Sequence, residues 1–225
     1  FVFYDFETSG LSALYDSIVQ AAFILTDENF KIIDQLEICG RMKKEYPVPH
    51  PKALIVNNYS LDDLRSHENS NFQLIAQMRQ KLLSWGEVIF FGYNSLNFDE
   101  HFLRQGLFQS AFPPYLTNTN SNSRGDVMKL IHSASALFPN SFVRPLNDDT
   151  GKISFQLEKF AAANGVAHSK AHDAMGDVEA TLGVAKIIME RCPEVWNASL
   201  KTPSKQNVFN LMNQDQVFCV SRFFR

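Results

Sequence analysis

Two carboxylates stand two positions apart near the start of the chain, within the apolar stretch FVFYDFET of residues 1–8. Aromatic and β-branched residues favour a buried strand, and alternate side chains of a strand project from the same face. We therefore expect Asp5 and Glu7 to lie side by side, where they would repel each other and lose solvation. The alternative is that Asp5 caps a turn and Glu7 is solvated. A cation between them relieves the repulsion, and oxygen ligands alone predict Mg²⁺ or Mn²⁺.

Three further residues carry groups that could complete such a site. Asp99 is predicted to begin a helix that follows a buried strand, which would bring it to the edge of a sheet. Asp177 falls in the opening turns of a long predicted helix, and His172 lies on the loop before it. Taken alone, Asp99 could simply stabilise a helix dipole, and His172 could be a solvated loop residue. Taken together, they would let His172 act beside a cation that Asp177 binds.

The elements that would position these residues follow a mixed α/β pattern. Apolar, β-branched stretches at 17–26 and 31–39, together with the opening strand, predict a three-stranded antiparallel meander. A further strand is predicted at 87–91, and residues 42–71 and 109–125 are predicted to be irregular loops. Apolar residues at helical spacing predict helices over 72–85, 98–108, 126–137, 155–164 and 174–190, with Gly165 as a C-cap. The tail contains a helical piece at about 206–212 and a strand-like run at 217–220.

Composition limits the classes of protein to consider. A length of 225 residues allows one α/β core with a small appendage. The net charge of −3 argues against a nonspecific electrostatic coat for nucleic acid, although it permits a local basic groove. Cys39, Cys192 and Cys219 are scattered, which predicts free thiols in a reducing compartment. Without an apolar run of ~20 residues or a signal-peptide pattern, we expect a cytoplasmic protein with no membrane association.

Four stretches of the sequence resemble the bacterial exodeoxyribonuclease I family of the DEDDh 3′→5′ exonuclease superfamily. They are DFETSG, GYNSLNFDEHFLRQ, SFQLEKFAAANG and AHSKAHDAMGDVEAT. The resemblance implies an α/β, ribonuclease-H-like fold, with a mixed central sheet of an antiparallel meander plus parallel strands, flanked by helices. It further implies a DEDDh exonuclease domain over 1–200. Residues 201–225 would then be a linker and the first strand of a truncated following β-barrel domain.

The resemblance assigns a role to each of the acidic residues and to the histidine. It implies that Asp5, Glu7, Asp99 and Asp177 are catalytic residues that hold two Mg²⁺ ions, for which Mn²⁺ can substitute, and that His172 is the general base. Independent chemistry agrees, because cleavage of a phosphodiester needs an activated water and a stabilised leaving oxygen, and two cations ~3.5–4 Å apart can serve both needs. A histidine with a pKa near ~6.5 can accept the proton of that water near neutral pH.

A second group of residues is expected to contact DNA. At Gln156 the family pattern has an arginine, so a charge is missing there and Arg144 or Lys152 could supply it instead. For Leu54 the alternative is an anchor in the core, and the other candidates could be solvated surface residues. The expected contacts are Glu7, Thr8, Ser9, Gly10, Leu54, Arg104, Tyr115, Arg124, Phe155 and Gln156.

The function implied by the resemblance is a metal-dependent 3′→5′ exonuclease that hydrolyses single-stranded DNA to 5′-mononucleotides in DNA repair and recombination. Its partners would be the 3′ end of single-stranded DNA and, through domains beyond this chain, a single-stranded DNA-binding protein. We expect a monomer. One alternative is a DEDDh exoribonuclease or a proofreading-type exonuclease. An alternative from another class is an inactive single-strand binding module, although such a module has no physical reason to keep these five polar groups together.

Overall fold

The computed structural model of the chain describes residues 1–42, 48–168, 173–202 and 205–214. Its centre is a six-stranded mixed sheet. The strands are β1 (Val2–Thr8), β2 (Ile18–Thr26), β3 (Ile32–Arg41), β4 (Asn69–Ser70), β5 (Ile89–Gly92) and β6 (Ser123–Asp126). They lie in the order β4-β3-β2-β1-β5-β6. The first three strands pair antiparallel, whereas β5 runs parallel to β1 and β6 parallel to β5. The predicted meander and the predicted mixed sheet are therefore confirmed.

Nine α-helices accompany the sheet within the described residues. They are α1 (Pro51–Val56), α2 (Leu61–Ser66), α3 (Asn71–Ser84), α4 (Asp99–Gln109), α5 (Val127–Leu137), α6 (Leu157–Ala163), α7 (Ala174–Arg191), α8 (Pro193–Lys201) and α9 (Lys205–Gln214). Helices α3 and α4 share a hydrophobic core with one face of the sheet. Helices α5 to α8 share a second core with the other face. The five long helices predicted from the sequence are confirmed to within two residues at each end.

Side chains of β1 alternate between these two cores, as the period of a strand requires. Phe3 belongs to the core under α5 to α8, where its ring lies 5.7 Å from that of Phe91. Tyr4 and Phe6 belong to the core under α3 and α4. Because β1 is covered on both faces, all of its residues except Asp5 are buried.

Two stretches that were predicted to be irregular contain regular structure. Residues 42–71 include α1, α2 and β4, and residues 109–125 include the 3₁₀ turn Leu116–Asn118 and most of β6. The prediction was wrong here because α1 buries no residue and β6 has the polar sequence SRGD, so neither has an apolar period. Helix α8 was also missed. Helix α9 covers the predicted piece at 206–212, whereas the strand expected at 217–220 lies outside the described residues.

The carboxyl ends of β1 and β5 meet at one edge of the sheet, which is where open α/β sheets place their ligands. A tight turn there carries the chain from β5 into α4. A Cβ atom on Gly92 would lie 2.5 Å from the Cβ of Ser95, so this turn requires glycine. Asn94 adopts a φ of 60°, which asparagine tolerates better than most residues. The turn thereby delivers Asp99 to the end of β1.

Two further expectations concern the whole chain. Cys39 and Cys192 are free thiols, as predicted, and Cys219 lies outside the described residues. In the described part of the chain, no helix has the length and apolar character that crossing a membrane would need.

Candidate active site

Three carboxylates converge at the carboxyl end of β1. One oxygen from each of Asp5, Glu7 and Asp177 lies within 4.8 Å of the other two. Asp5 and Glu7 are brought together by the alternation along β1, and Asp177 comes from the first turn of α7. The expected side-by-side arrangement of Asp5 and Glu7 is therefore present. Their role as metal ligands stays a prediction.

Asp99 reaches the same strand from the opposite side. Its Oδ1 accepts a hydrogen bond of 3.0 Å from the backbone N–H of Phe6, which lies between Asp5 and Glu7 in β1. This N–H is available because β5 pairs with β1 only at Val2 and Phe3. The contact fixes the side chain of Asp99, which is 3% exposed, beside the cluster without making it part of the three-carboxylate group.

The electrostatics of the cluster are unfavourable as it stands. Loss of solvation raises the pKa of Asp5 well above its usual value, and repulsion from Asp99, Asp177 and Glu7 adds to the effect. Loss of solvation and then Asp177 and Asp173 raise the pKa of Glu7 to about 8. Loss of solvation also raises the pKa of Asp99, although the N–H of Phe6 partly offsets this rise.

The donor set fits a hard divalent cation. Within the described ranges, no lysine or arginine forms an ion pair with Asp5, Glu7 or Asp99. The three converging groups offer oxygen atoms alone, at mutual distances that one ion can bridge, and Mg²⁺ and Mn²⁺ prefer such ligands. The raised pKa values show that the ionised carboxylates of Asp5, Glu7 and Asp99 lack a nearby positive charge among the described residues, which a bound cation would supply.

His172, the predicted general base, lies outside the described residues, so its role stays a prediction. Another histidine, His168, which the sequence analysis did not single out, lies beside Asp177. Nε2 of His168 lies 2.6 Å from Oδ1 of Asp177, and the His168 side chain is 5% exposed. This second histidine lies in the motif AHSKAHDAM, four residues before His172. The contact with His168 fixes the orientation of the Asp177 carboxylate.

The turn after β1 contains three of the expected DNA contacts, and their polar groups are engaged within the protein. The hydroxyl of Thr8 donates to the carbonyl of Gly10 at 2.7 Å, and the hydroxyl of Ser9 accepts from the N–H of Ser17 at 3.0 Å. A Cβ on Gly10 would lie 2.4 Å from the carboxylate oxygens of Asp16, so a side chain there would displace this carboxylate. These residues shape the rim of the cluster. Direct contacts with a nucleotide remain a prediction.

Leu54 lies above this turn, in α1. It packs against the small core formed by Val19, Met42 and Leu64. This contact agrees with the alternative that Leu54 is a core anchor. Helix α1 also lies close to the end of β1, because the side chain of Asn57 donates to the carbonyl of Thr8 at 3.4 Å.

The two arginines among the expected DNA contacts converge on a buried glutamate. Glu100 is 2% exposed, and its Oε2 lies 2.8 Å from an Nη of Arg124 and 3.5 Å from Nε of Arg104. The hydroxyl of Tyr4 donates to the other oxygen at 3.1 Å. The guanidinium of Arg104 also covers the ring of Tyr115 at 5.3 Å. Both arginines therefore neutralise Glu100. Arg104 does so from the i,i+4 position on α4, whereas Arg124 does so from β6, a pairing that no local sequence pattern indicates.

Phe155 and Gln156, the last expected contacts, line a cavity of about 1100 Å³. Tyr93 and Asn94 from the turn after β5 form one wall, and the hydroxyl of Tyr93 donates to the carbonyl of Phe155 at 2.6 Å. The ring of Phe155 contacts the edge of His132 with centroids 4.3 Å apart. Further lining residues include Arg144, Asn147 and Lys152. The cavity thus joins aromatic and basic groups beside the turn that leads to Asp99.

Comparison with known proteins defines the class to which this sheet and acidic cluster belong. The model of the Exonuclease family (RNase_T) matches residues 2–185, and the chain belongs to this family. Within it, exodeoxyribonuclease I of Escherichia coli K12 is 31% identical over 218 residues, which are 96% of this chain and 46% of that protein. The chain thus spans about half the length of the curated relatives it matches.

Solved structures agree with this relationship. The complex of E. coli exonuclease I with a dT13 oligonucleotide has a TM-score of 0.86 and 29% identity, covering 93% of this chain and 45% of that one. The zinc-bound form of the E. coli enzyme with single-stranded DNA has a TM-score of 0.86 and 28% identity, covering 93% and 44%. The expected ribonuclease-H-like fold and the resemblance to exodeoxyribonuclease I are confirmed.

Proposed function

We propose that this chain carries a divalent-metal-dependent exonuclease centre that removes nucleotides from the 3′ end of single-stranded DNA and releases 5′-mononucleotides. The observation that carries the proposal is the convergence of the carboxylates of Asp5, Glu7 and Asp177 in a member of the Exonuclease family. Repair and recombination of DNA are the processes in which such an activity would serve.

Asp5, Glu7, Asp99 and Asp177 would hold the metal ions. The proposed set is two Mg²⁺, with Mn²⁺ able to substitute. When bound, two divalent cations would make the attacking water nucleophilic and stabilise the departing 3′ oxygen. The burial that raises the pKa of Glu7 would also strengthen the attraction between bound cations and a phosphodiester, because electrostatic interactions are stronger away from bulk water.

His172 would accept the proton of the attacking water, since it directly precedes Asp173, the N-cap of the helix that carries Asp177. Asp99 would keep its place through the N–H of Phe6, so that it enters the reaction without reorganisation. The chain's own contribution is therefore to fix four carboxylates and one base around the scissile phosphate.

The substrate would enter along the cavity beside Phe155. An aromatic face stacks on any base, and Arg144 and Lys152 bring positive charge to the lining that Gln156 lacks. Single-stranded DNA is proposed because relatives with this fold were solved with single-stranded oligonucleotides. A single-stranded DNA-binding protein as a partner, a monomeric state and a cytoplasmic location extend the same proposal.

Digestion of matched oligonucleotides tests the proposal. A 5′-labelled single strand should shorten progressively in Mg²⁺, and a 3′-labelled one should release a labelled mononucleotide at once. EDTA should stop both reactions, and duplex DNA and RNA of the same sequence should be cut more slowly. Asp5→Asn should be inactive, whereas Asp62→Asn, which removes an exposed acid on α2, should match wild type. Equal rates in EDTA, internal cuts, or binding without cleavage would contradict the proposal.

A further inference from the structure

The side-chain amide of Gln20 connects four separate parts of the fold next to the carboxylate cluster. We infer that Gln20 is a positioning residue that fixes the start of α7, and with it Asp177, relative to Asp5 and Glu7. The inference rests on the proposed function, because it concerns the geometry of the same metal centre. Gln20 itself lies in β2, directly opposite Glu7 in the ladder between β1 and β2, and it is 4% exposed.

All four hydrogen-bonding positions of this amide are occupied. Its Nε2 donates to Oε1 of Glu37 at 2.9 Å and to Oδ2 of Asp173 at 3.3 Å. Its Oε1 accepts from the hydroxyl of Tyr59 at 2.8 Å and from the backbone N–H of Ala174 at 3.3 Å. The amide thus ties β3, the loop after α1 and the first residues of α7 to β2. A buried amide satisfied in this way has a single orientation.

The connection to Asp177 passes through one helical turn. Asp173 caps α7, with its side chain accepting from the N–H of Gly176 at 3.2 Å. Its carbonyl accepts from the N–H of Asp177 at 3.0 Å. Because both ends of this turn are fixed by hydrogen bonds, a shift of Asp173 carries Asp177 with it. The three carboxylates must stay within a few ångströms to share a cation, so this position matters for the site.

Glutamine suits this position for a chemical reason. Two carboxylates, Glu37 and Asp173, need donors there, while Tyr59 and the N–H of Ala174 need acceptors. A lysine would provide donors without an acceptor, and a glutamate would repel both carboxylates. Glutamine provides two N–H groups and an oxygen with two lone pairs, and it adds no charge beside Glu7.

A purely structural role for Gln20 would give a different result from a positioning role. If the amide only stabilises the fold, its loss lowers the melting temperature and leaves the folded site unchanged. If it positions Asp177, the folded variant binds metal more weakly and turns over more slowly at saturating DNA. Metal binding can be measured without DNA, so this readout does not depend on activity.

The experiment measures Mn²⁺ affinity by calorimetry for wild type and Gln20→Met, a neutral side chain of similar length. We expect affinity to fall by ~10–100-fold, as is typical when a residue supporting a metal ligand is lost. The turnover number in Mg²⁺ should fall more than the Michaelis constant for DNA rises. The matched control is Asn164→Leu, which removes another buried amide, one that bonds to Val143, Phe160 and Arg191 at the opposite end of α7 from Asp177.

A second variant keeps the test decisive if Gln20→Met does not fold. Asp173→Ser retains a good N-cap for α7 but removes the acceptor that Gln20 contacts. Introduced alone, Asp173→Ser should weaken Mn²⁺ binding. Introduced into a folded Gln20→Met protein, it should cause little further loss of Mn²⁺ affinity. A folded Gln20→Met with Mn²⁺ affinity within about twofold of wild type, or Asp173→Ser with unchanged affinity, would overturn the inference. Weakened Mn²⁺ binding in a protein that digests no DNA would instead refute only the proposed function.

Discussion

Glu7 should make the metal-free protein less stable as the pH rises. The pKa of Glu7 is about 8 in the folded protein, against an ordinary value of 4.5 that applies after unfolding. Between these values the folded state keeps a proton that the unfolded state has lost, so the free energy of unfolding falls with increasing pH. This stabilising contribution is fully present below pH 4.5 and is lost as the pH rises through about 8.

The size of the effect follows from the shift in pKa. One bound proton changes the free energy of unfolding by ~1.4 kcal/mol per pH unit, so Glu7 accounts for at most about 4 kcal/mol between about pH 5 and pH 8. For a chain of this length that corresponds to roughly 8–16 °C in melting temperature. A divalent cation should reverse the loss, because it stabilises the ionised carboxylates that the folded state otherwise disfavours.

Thermal unfolding in EDTA across this pH range, for wild type and Glu7→Gln, measures the effect. Glu7→Gln should flatten the pH dependence, raise the melting temperature at pH 8 and reduce the stabilisation by Mg²⁺. The control is Glu28→Gln, which neutralises an exposed glutamate in the turn between β2 and β3 and should leave the pH dependence as in wild type. If wild type and Glu7→Gln lose stability in parallel between pH 5 and pH 8, the reasoning about the cluster is wrong.

Three other substitutions test individual roles. Asp5→Asn should lower the cleavage rate by orders of magnitude while the fold remains intact or gains stability from relieved repulsion, and near-normal turnover in Mg²⁺ would contradict its role. His172→Ala should reduce turnover by ~10²–10⁴-fold with little change in DNA affinity and flatten the acid side of the pH profile, whereas lost affinity with normal turnover would make it a binding residue. Gln156→Arg should tighten binding of single-stranded DNA in Ca²⁺ and steepen the salt dependence by ~0.7 in slope. An unchanged slope by fluorescence anisotropy would mean that Gln156 contacts no phosphate, with Arg144 or Lys152 making that contact instead.

The sequence was informative where a local pattern repeats with a fixed period. β1 could be predicted because its apolar residues surround two acids at alternate positions, and α7 because its apolar residues follow a helical period. The convergence of Asp5 and Glu7 follows directly from the geometry of a strand. That Asp177 joins them depended on the motif AHDAM-x-D, since no local rule brings residues 5 and 177 together.

Features that depend on contacts between distant residues could not be predicted in this way. The ion pair of Arg124 with Glu100 forms only when β6 lies beside α4, and β6 itself is a polar strand without an apolar signal. The contact of His168 with Asp177 joins residues nine positions apart. The network of Gln20 connects residues up to 154 positions apart. Each is a polar interaction of a buried group, and such interactions have no sequence period.

Crystals grown or soaked in Mn²⁺ provide the most direct test of the central claim that the carboxylate cluster is a metal centre. The account predicts anomalous density with oxygen atoms of Asp5, Glu7 and Asp177 at ~2.0–2.3 Å from a Mn²⁺ ion, and a second ion nearby when a single strand is bound. Asp5→Asn should remove or weaken this density under the same conditions. Saturating Mn²⁺ that leaves the cluster without density, or that binds elsewhere while DNA is still cleaved, would contradict the account.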